Sequence, residues 1–211
     1  MLTKCIIVLA VITLVLSSNA FAQGEFLRKG ESCLGGGPIT TFATSPTGTG
    51  LTAGISIIGS FDLAFSYIGA DESGDEYSAM IAIHSKRQMG KHLTGFAVNV
   101  GYDVVKLEES SWSYSTRTYH FLIAGVTGYD NMYPHPDIQV SIGGTFAFLY
   151  NSDNGVTDHF KSVESNVSLS LTTIFGCRGN LRPYLMIGGT QGSLSGSDIN
   201  GVAGLGLLAV L

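Results

Sequence analysis

The chain has 211 residues and carries 11 Lys and Arg against 16 Asp and Glu, a net charge of −5. Its basic residues are scattered, so no stripe can track a phosphate backbone, and nucleic acid is not an expected partner. The length supports one domain of ordinary size, and apart from the N-terminus no stretch reaches the uninterrupted apolar length of a membrane helix.

At the N-terminus, Lys4 precedes an apolar run from Cys5 to Leu16, then Ser17-Ser18-Asn19 and Ala20-Phe21-Ala22. A run of about a dozen residues is too short to span, since a helix needs roughly 20. With an A-x-A site behind it, residues 1–22 have the layout of a cleaved signal peptide, cut before Gln23. An N-terminal membrane anchor is the alternative. The expected organisation is a signal peptide over 1–22, a polar periplasmic segment over 23–37 and a β domain over 38–211.

From there on apolar and polar residues alternate, which marks a sheet with two chemically different faces. Leu51, Ala53, Ile55 and Ile57 oppose Thr52, Gly54 and Ser56; Phe61, Leu63, Phe65 and Tyr67 oppose Asp62, Ala64 and Ser66. Tyr77, Ala79, Ile81 and Ile83 oppose Ser78, His84 and Lys86. Ile138 to Tyr150 alternate with Gln139 to Leu149, and Val163, Val167, Leu169, Leu171 and Phe175 with Glu164, Asn166, Ser168, Ser170 and Thr172. Strands of soluble sheets usually run five or six residues, whereas a tilted membrane strand needs about 9 to 11. Tyr67, Tyr77, Tyr102, Tyr114, Tyr129, Tyr150 and Phe175 sit near strand ends, where rings anchor at membrane interfaces. A secreted soluble β-sandwich also fits the alternation, but strand length and aromatic placement favour an all-β, antiparallel, up-and-down transmembrane β-barrel.

Strands are expected near 38–45, 50–58, 61–69, 76–87, 92–106, 114–128, 136–150, 160–176, 181–191 and 198–210. That makes ten, with eight as the fallback. Short turns at Gly59-Ser60, 87–92, 129–135 and 177–180 alternate with more polar or acidic segments at 70–76, 107–113, 151–159 and 192–197. Short turns belong on the periplasmic side of a bacterial barrel and long loops outside.

The leader, the Gly- and aromatic-rich hairpins and the segment Gly59-Ser60-Phe61-Asp62-Leu63 through Tyr67 resemble small porin-like or opacity-type outer-membrane barrels. The resemblance implies residence in the outer membrane, contact with its lipid and lipopolysaccharide, insertion by the outer-membrane assembly machinery, and roles from adhesion to envelope maintenance. Those families commonly end in an aromatic residue; this chain ends Leu207-Leu208-Ala209-Val210-Leu211.

A barrel of this size is about wide enough inside for its own side chains, so bulk diffusion is not expected. Parity assigns Asp62, His84, Lys86, Asn99, Asp103, His120, Gln139, Glu164 and Asn166 to the interior as a polar network. The reading is a structural or surface-interaction barrel with a narrow, largely occluded lumen; a narrow solute channel and an enzyme are the alternatives. For an enzyme, His120 with Asp103 is the candidate base and orienter, while His84 and Ser85, being adjacent in a strand, face opposite ways. Asp158-His159 reads as a solvated loop pair. No metal spacing is present, and neither Gly35-Gly36-Gly37 nor Gly201, Gly204 and Gly206 precedes a helix, so no cofactor is expected. Cys33 and Cys177 fall on the same side of the membrane; a disulfide between them would tie the N-terminal segment across the periplasmic mouth as a partial plug, with two free thiols as the alternative.

Overall fold

The structure, a computed structural model, describes residues 23–42, 48–70, 74–111, 113–151, 163–192 and 200–211. The expected signal peptide, the Asp158-His159 pair and most of the expected loops at 151–159 and 192–197 lie outside the described residues.

Ten strands form: β1 (Cys33–Phe42), β2 (Gly48–Ile57), β3 (Phe61–Ala70), β4 (Gly74–Met89), β5 (His92–Ser111), β6 (Ser113–His135), β7 (Ile138–Asn151), β8 (Val163–Phe175), β9 (Leu181–Gly192) and β10 (Asn200–Val210). Each pairs antiparallel with its sequence neighbours, and β1 pairs with β10 as well as β2, closing one barrel rather than the two sheets of a sandwich. Closure leaves no unpaired edge.

The alternation seen in the sequence becomes the inside and outside of the wall. Asp62 on β3 is 1% exposed, while its neighbours Phe61 and Phe65 face out. On β7 the inner row is Gln139, Ser141, Gly143, Thr145, Ala147 and Leu149, and the outer row includes Ile142, Phe146, Phe148 and Tyr150. The most exposed wall residues are large and apolar, such as Leu169 at 66% and Ile83 at 61%, whereas the buried rows are rich in Thr, Ser, Asn and Gln. This inverts a soluble protein, which buries its aliphatics and exposes its polar groups.

The outer apolar band has polar edges. At one end, His92 Nδ1 and Thr94 Oγ1 meet the Asp130 carboxylate at 2.8 and 2.9 Å. At the other, the Tyr67 and Tyr77 hydroxyls donate to Asp75 at 3.0 and 3.4 Å, and Lys106 Nζ stands 5.3 Å from the centre of the Tyr77 ring. Between these edges β5 presents Phe96, Val98, Val100 and Tyr102 outward.

Three boundaries differ from expectation. β1 begins at Cys33, because Cys33–Pro38 already pair with β2 from Ser56 to Leu51. β6 continues through residues 129–135, with a register shift between Met132 and His135, so the turn falls at 136–137. Tyr129 is consequently a lumen residue, 4% exposed, and not an interface anchor. Residues 107–111, expected as loop, extend β5 against β6, where Leu107 pairs with Arg117 and Ser111 with Ser113.

That extension outruns the rest of the wall. The pairing of β5 with β4 stops at Lys106, and that of β6 with β7 starts at Phe121. Leu107–Ser111 and the facing part of β6 therefore form a two-stranded arm at the end of the barrel that holds the longer connections.

The opposite end carries short turns. Ile58 and Gly59 both take positive φ, 50° and 61°, the pairing a two-residue turn of mirror-image type requires. Glycine meets that demand freely, whereas β-branched Ile58 does so under strain.

Candidate functional site

The distinctive site is the lumen at the short-turn end, filled by the chain's own segment before β1. Residues Gln23–Phe26 form one 3₁₀ turn, and all four are buried. Leu27 is fully buried, after which residues 28–30 are exposed and the chain turns into β1.

Apolar packing seats this plug. Phe26 and Leu27 cluster with Cys33, Ile174, Cys177, Tyr184, Leu208 and Val210, and the Phe26 and Tyr184 rings stack at 6.3 Å. Burying two such side chains contributes about 1.5–3 kcal/mol each.

Polar side chains of the wall then take up the plug's backbone. Asp62 Oδ2 accepts from the Gly24 amide at 2.6 Å, Lys86 Nζ donates to the Gly24 carbonyl and to the Leu27 carbonyl at 2.8 Å, and Asn131 Nδ2 donates to the Glu25 carbonyl. A single 3₁₀ turn, closed by the Leu27 amide on the Gly24 carbonyl at 3.2 Å, leaves most of its backbone groups without internal partners, and the wall supplies several. Only glycine fits at 24: a Cβ there would lie 2.5 Å from Asp62 Oδ1.

At the rim, Arg182 Nη1 and Nη2 grip the Glu31 carboxylate at 3.1 and 2.9 Å, and the Arg28 guanidinium lies 5.2 Å from the centre of the Tyr133 ring. Burial pushes the Glu31 carboxyl up, but its hydrogen bond to Arg182, the Arg28 amide and both guanidinium charges outweigh that and hold it below the usual range. Glu25 has no such relief. Burial, with the Asp62 charge adding to it and Lys86 opposing, raises its carboxyl to about 8.

The sequence-predicted interior residues separate into distinct groups. Asp62, His84 and Lys86 meet at the plug: His84 Nε2 lies 3.0 Å from Asp62 Oδ2, and its Nδ1 lies 3.2 Å from the Tyr129 hydroxyl. Asn99 belongs to a neutral rung, donating to Thr127 Oγ1 at 2.6 Å, which meets Thr145 Oγ1 at 2.8 Å. Asp103 is buried near Glu76, which adjoins it diagonally on β4; Asp103 Oδ2 and both Glu76 oxygens lack a hydrogen-bond partner among the described residues. Gln139 and Asn166 face the lumen and are buried. The Glu164 side chain lies outside the described residues.

His120 is a correction. The described buried residues on β6 are Phe121, Ile123, Thr127, Tyr129 and Asn131, so the opposite parity puts His120 on the outer face, where its Nδ1 meets the Tyr102 hydroxyl at 2.7 Å. It pairs with Val104 in register, and no base and orienter pair forms with Asp103. The misassignment arose because residues 118–120 are polar or aromatic on both parities, so the strand shows no clear face until Phe121.

The cysteines are a second correction. Both are buried at the short-turn end, but they are free thiols. Cys33 Sγ donates to Gln23 Oε1 at 3.4 Å and Cys177 Sγ to the Ile174 carbonyl at 3.6 Å. The plug is held by backbone capture, apolar packing and the Glu31–Arg182 pair instead. Glu25, Glu31, Asn131 and Arg182 were not singled out from the sequence, and Tyr129 was read as an interface anchor, since each acquires its part only when the segment before β1 folds inward.

No described protein family matches the chain, and no curated protein sequence does. Among solved structures, the chain is similar to a loop L8 deletion mutant of OmpT, an outer membrane protein of Vibrio cholerae, at 11% identity, TM-score 0.41, over 78% of this chain and 54% of that one. It thus spans about half the length of that protein. Similarity extends to the NanC porin at 10% identity and TM-score 0.38, over 84% of this chain and 98% of that one. The β domain of the Bordetella autotransporter BrkA is 14% identical at TM-score 0.49, over 86% and 99% of the two chains.

Proposed function

We propose that the protein resides in the outer membrane as a plugged barrel and that its work is done at the surface, through the arm formed by β5 and β6. The observation that carries this is the combination of an occupied lumen with an arm longer than a membrane requires. β5 and β6 have 20 and 23 residues, against the 9–11 that cross the hydrocarbon. The apolar outer band between the Asp130 and Asp75 clusters is the face turned to lipid, and the plugged end is the periplasmic one. Plug backbone and wall side chains take up the space a diffusing solute would need, which supports a surface role over a conduit.

The test places a short epitope tag between Ser110 and Ser111 and probes intact cells. Antibody binding without permeabilisation is the expected outcome. Binding only after the outer membrane is opened would overturn the orientation, and recovery of the protein as a soluble periplasmic species would overturn the membrane reading.

A further inference from the structure

Followed backwards from β1, the chain leaves the wall at the short-turn end, is exposed at residues 28–30, and then moves into the lumen until Gln23 is 3% exposed. Gln23 lies well inside: a Cβ on Gly35 or Gly54, both lumen-facing wall positions, would stand 3.1 or 3.2 Å from its side-chain nitrogen. Its own peptide nitrogen is therefore delivered to the interior and not to the rim. In the sequence that nitrogen is joined to Ala22, the end of an apolar leader. A leader still attached would have to start from inside a lumen lined by Thr52, Asp62, His84 and Asn99, where an apolar run gains nothing.

Two carboxyls stand beside one ammonium here, with the His84 imidazole 3.0 Å from Asp62 Oδ2. Asp62 and Glu25 are both buried carboxyls, and the ammonium beside them, Lys86 Nζ, is spent on the Gly24 and Leu27 carbonyls. Asp62 Oδ2 is occupied by the Gly24 amide and His84, but Asp62 Oδ1 is buried with no partner among the described residues. Gly24 adjoins Gln23, so the Gln23 nitrogen is within one residue's reach of that oxygen. A buried acceptor in this state lacks something that the processed chain can supply.

We infer that the Ala22–Gln23 bond is hydrolysed before the plug docks and that the α-ammonium so formed is held in the lumen as the ionic partner of Asp62 Oδ1. An exported-protein leader peptidase adds one water across the amide, leaving a carboxylate on Ala22 and the ammonium on Gln23. Removal of the leader then adds a second ammonium group, beside Lys86, to a site that holds the carboxyls of Asp62 and Glu25. This inference rests on the occluded-lumen reading.

The experiment uses full-length protein expressed with its leader and purified from outer membranes in detergent. Intact mass should correspond to a chain beginning at Gln23 with no loss of ammonia. A different start, or the loss of about 17 Da that marks cyclisation of Gln23 by its own amine, overturns the proposal. An amine-acylating reagent near neutral pH should then modify the α-amine at least about tenfold more slowly in the folded barrel than after boiling in denaturant, because ion pairing withholds the neutral amine. Equal rates overturn it. Asp62→Asn should restore fast acylation; if that variant does not fold, the comparison of folded and boiled wild type decides alone. Heat-shifted gel migration in the same samples reports the barrel independently. A shifted barrel with a fast α-amine and no conductance sinks this inference alone, whereas open conductance sinks the occluded lumen as well.

Discussion

Two residues carry the clearest local consequences. Ile58 holds φ of 50° in the turn between β2 and β3, while its amide donates to Ser32 Oγ at 2.8 Å and its carbonyl accepts from the Gly30 amide at 3.1 Å. The turn must keep that shape to bind the segment leading to the plug, and a β-branched residue pays about 1–2 kcal/mol for it. Ile58→Asn retains the backbone contacts and is expected to raise stability by about 1 kcal/mol, read as a higher urea midpoint of the barrel refolded in vesicles; an unchanged or lower midpoint would remove strain from the account. Glu31 governs the rim. Since its folded carboxyl lies below the unfolded value, its contribution is complete above the usual carboxylate range and is lost as pH falls through the folded value. Acidification below about pH 4.5 should therefore loosen the plug, seen as faster exchange of the residue 23–31 amides, and Glu31→Gln should abolish that acid dependence. Two charge-assisted hydrogen bonds to Arg182 are at stake, about 1.5–3 kcal/mol each.

Among the elements, β5 and β6 are the pair whose length exceeds the wall's need. Their arm beyond Lys106 pairs with neither β4 nor β7, so barrel closure does not depend on it. A chain with residues 107–117 replaced by a two-residue Asn-Gly turn is expected to keep the heat-dependent gel shift of the intact barrel while losing surface binding. Loss of the shift instead would mean that the arm helps fold the wall. The ten strands themselves were legible in order, because most alternate two chemically distinct faces, although β1 dilutes the pattern and β9 and β10 are too evenly apolar to show one. Their ends were less so: Cys33-Leu34-Gly35-Gly36-Gly37 reads as a polar leader to a strand, yet it is the wall that closes β1 on both neighbours. Glycine runs carry no periodicity, so pairing partners decide them.

For the whole molecule, the decisive feature is that the chain's own start folds into the lumen at the short-turn end. A chain refolded without residues 23–30 is expected to form the same barrel but to give stepwise conductance in planar bilayers where the intact protein gives little. Silence from both would show that wall residues alone, such as the buried Gln139, Asn166 and Glu76, fill the passage. The sequence by itself determined an all-β chain of long strands and which row of most of them faces in, since a period of two is a local property that survives any tertiary arrangement, whereas the pairing of β1 with β10 closed the barrel. What the tertiary structure alone decided is who meets whom inside. Asp62, His84 and Lys86 were legible as interior groups, but not that they hold a backbone segment; Cys33 and Cys177 were legible as lying on one side of the membrane, but the choice between a disulfide and two free thiols was not. The contacts that make the plug join residues up to 151 positions apart through space, and no local pattern encodes such a distance.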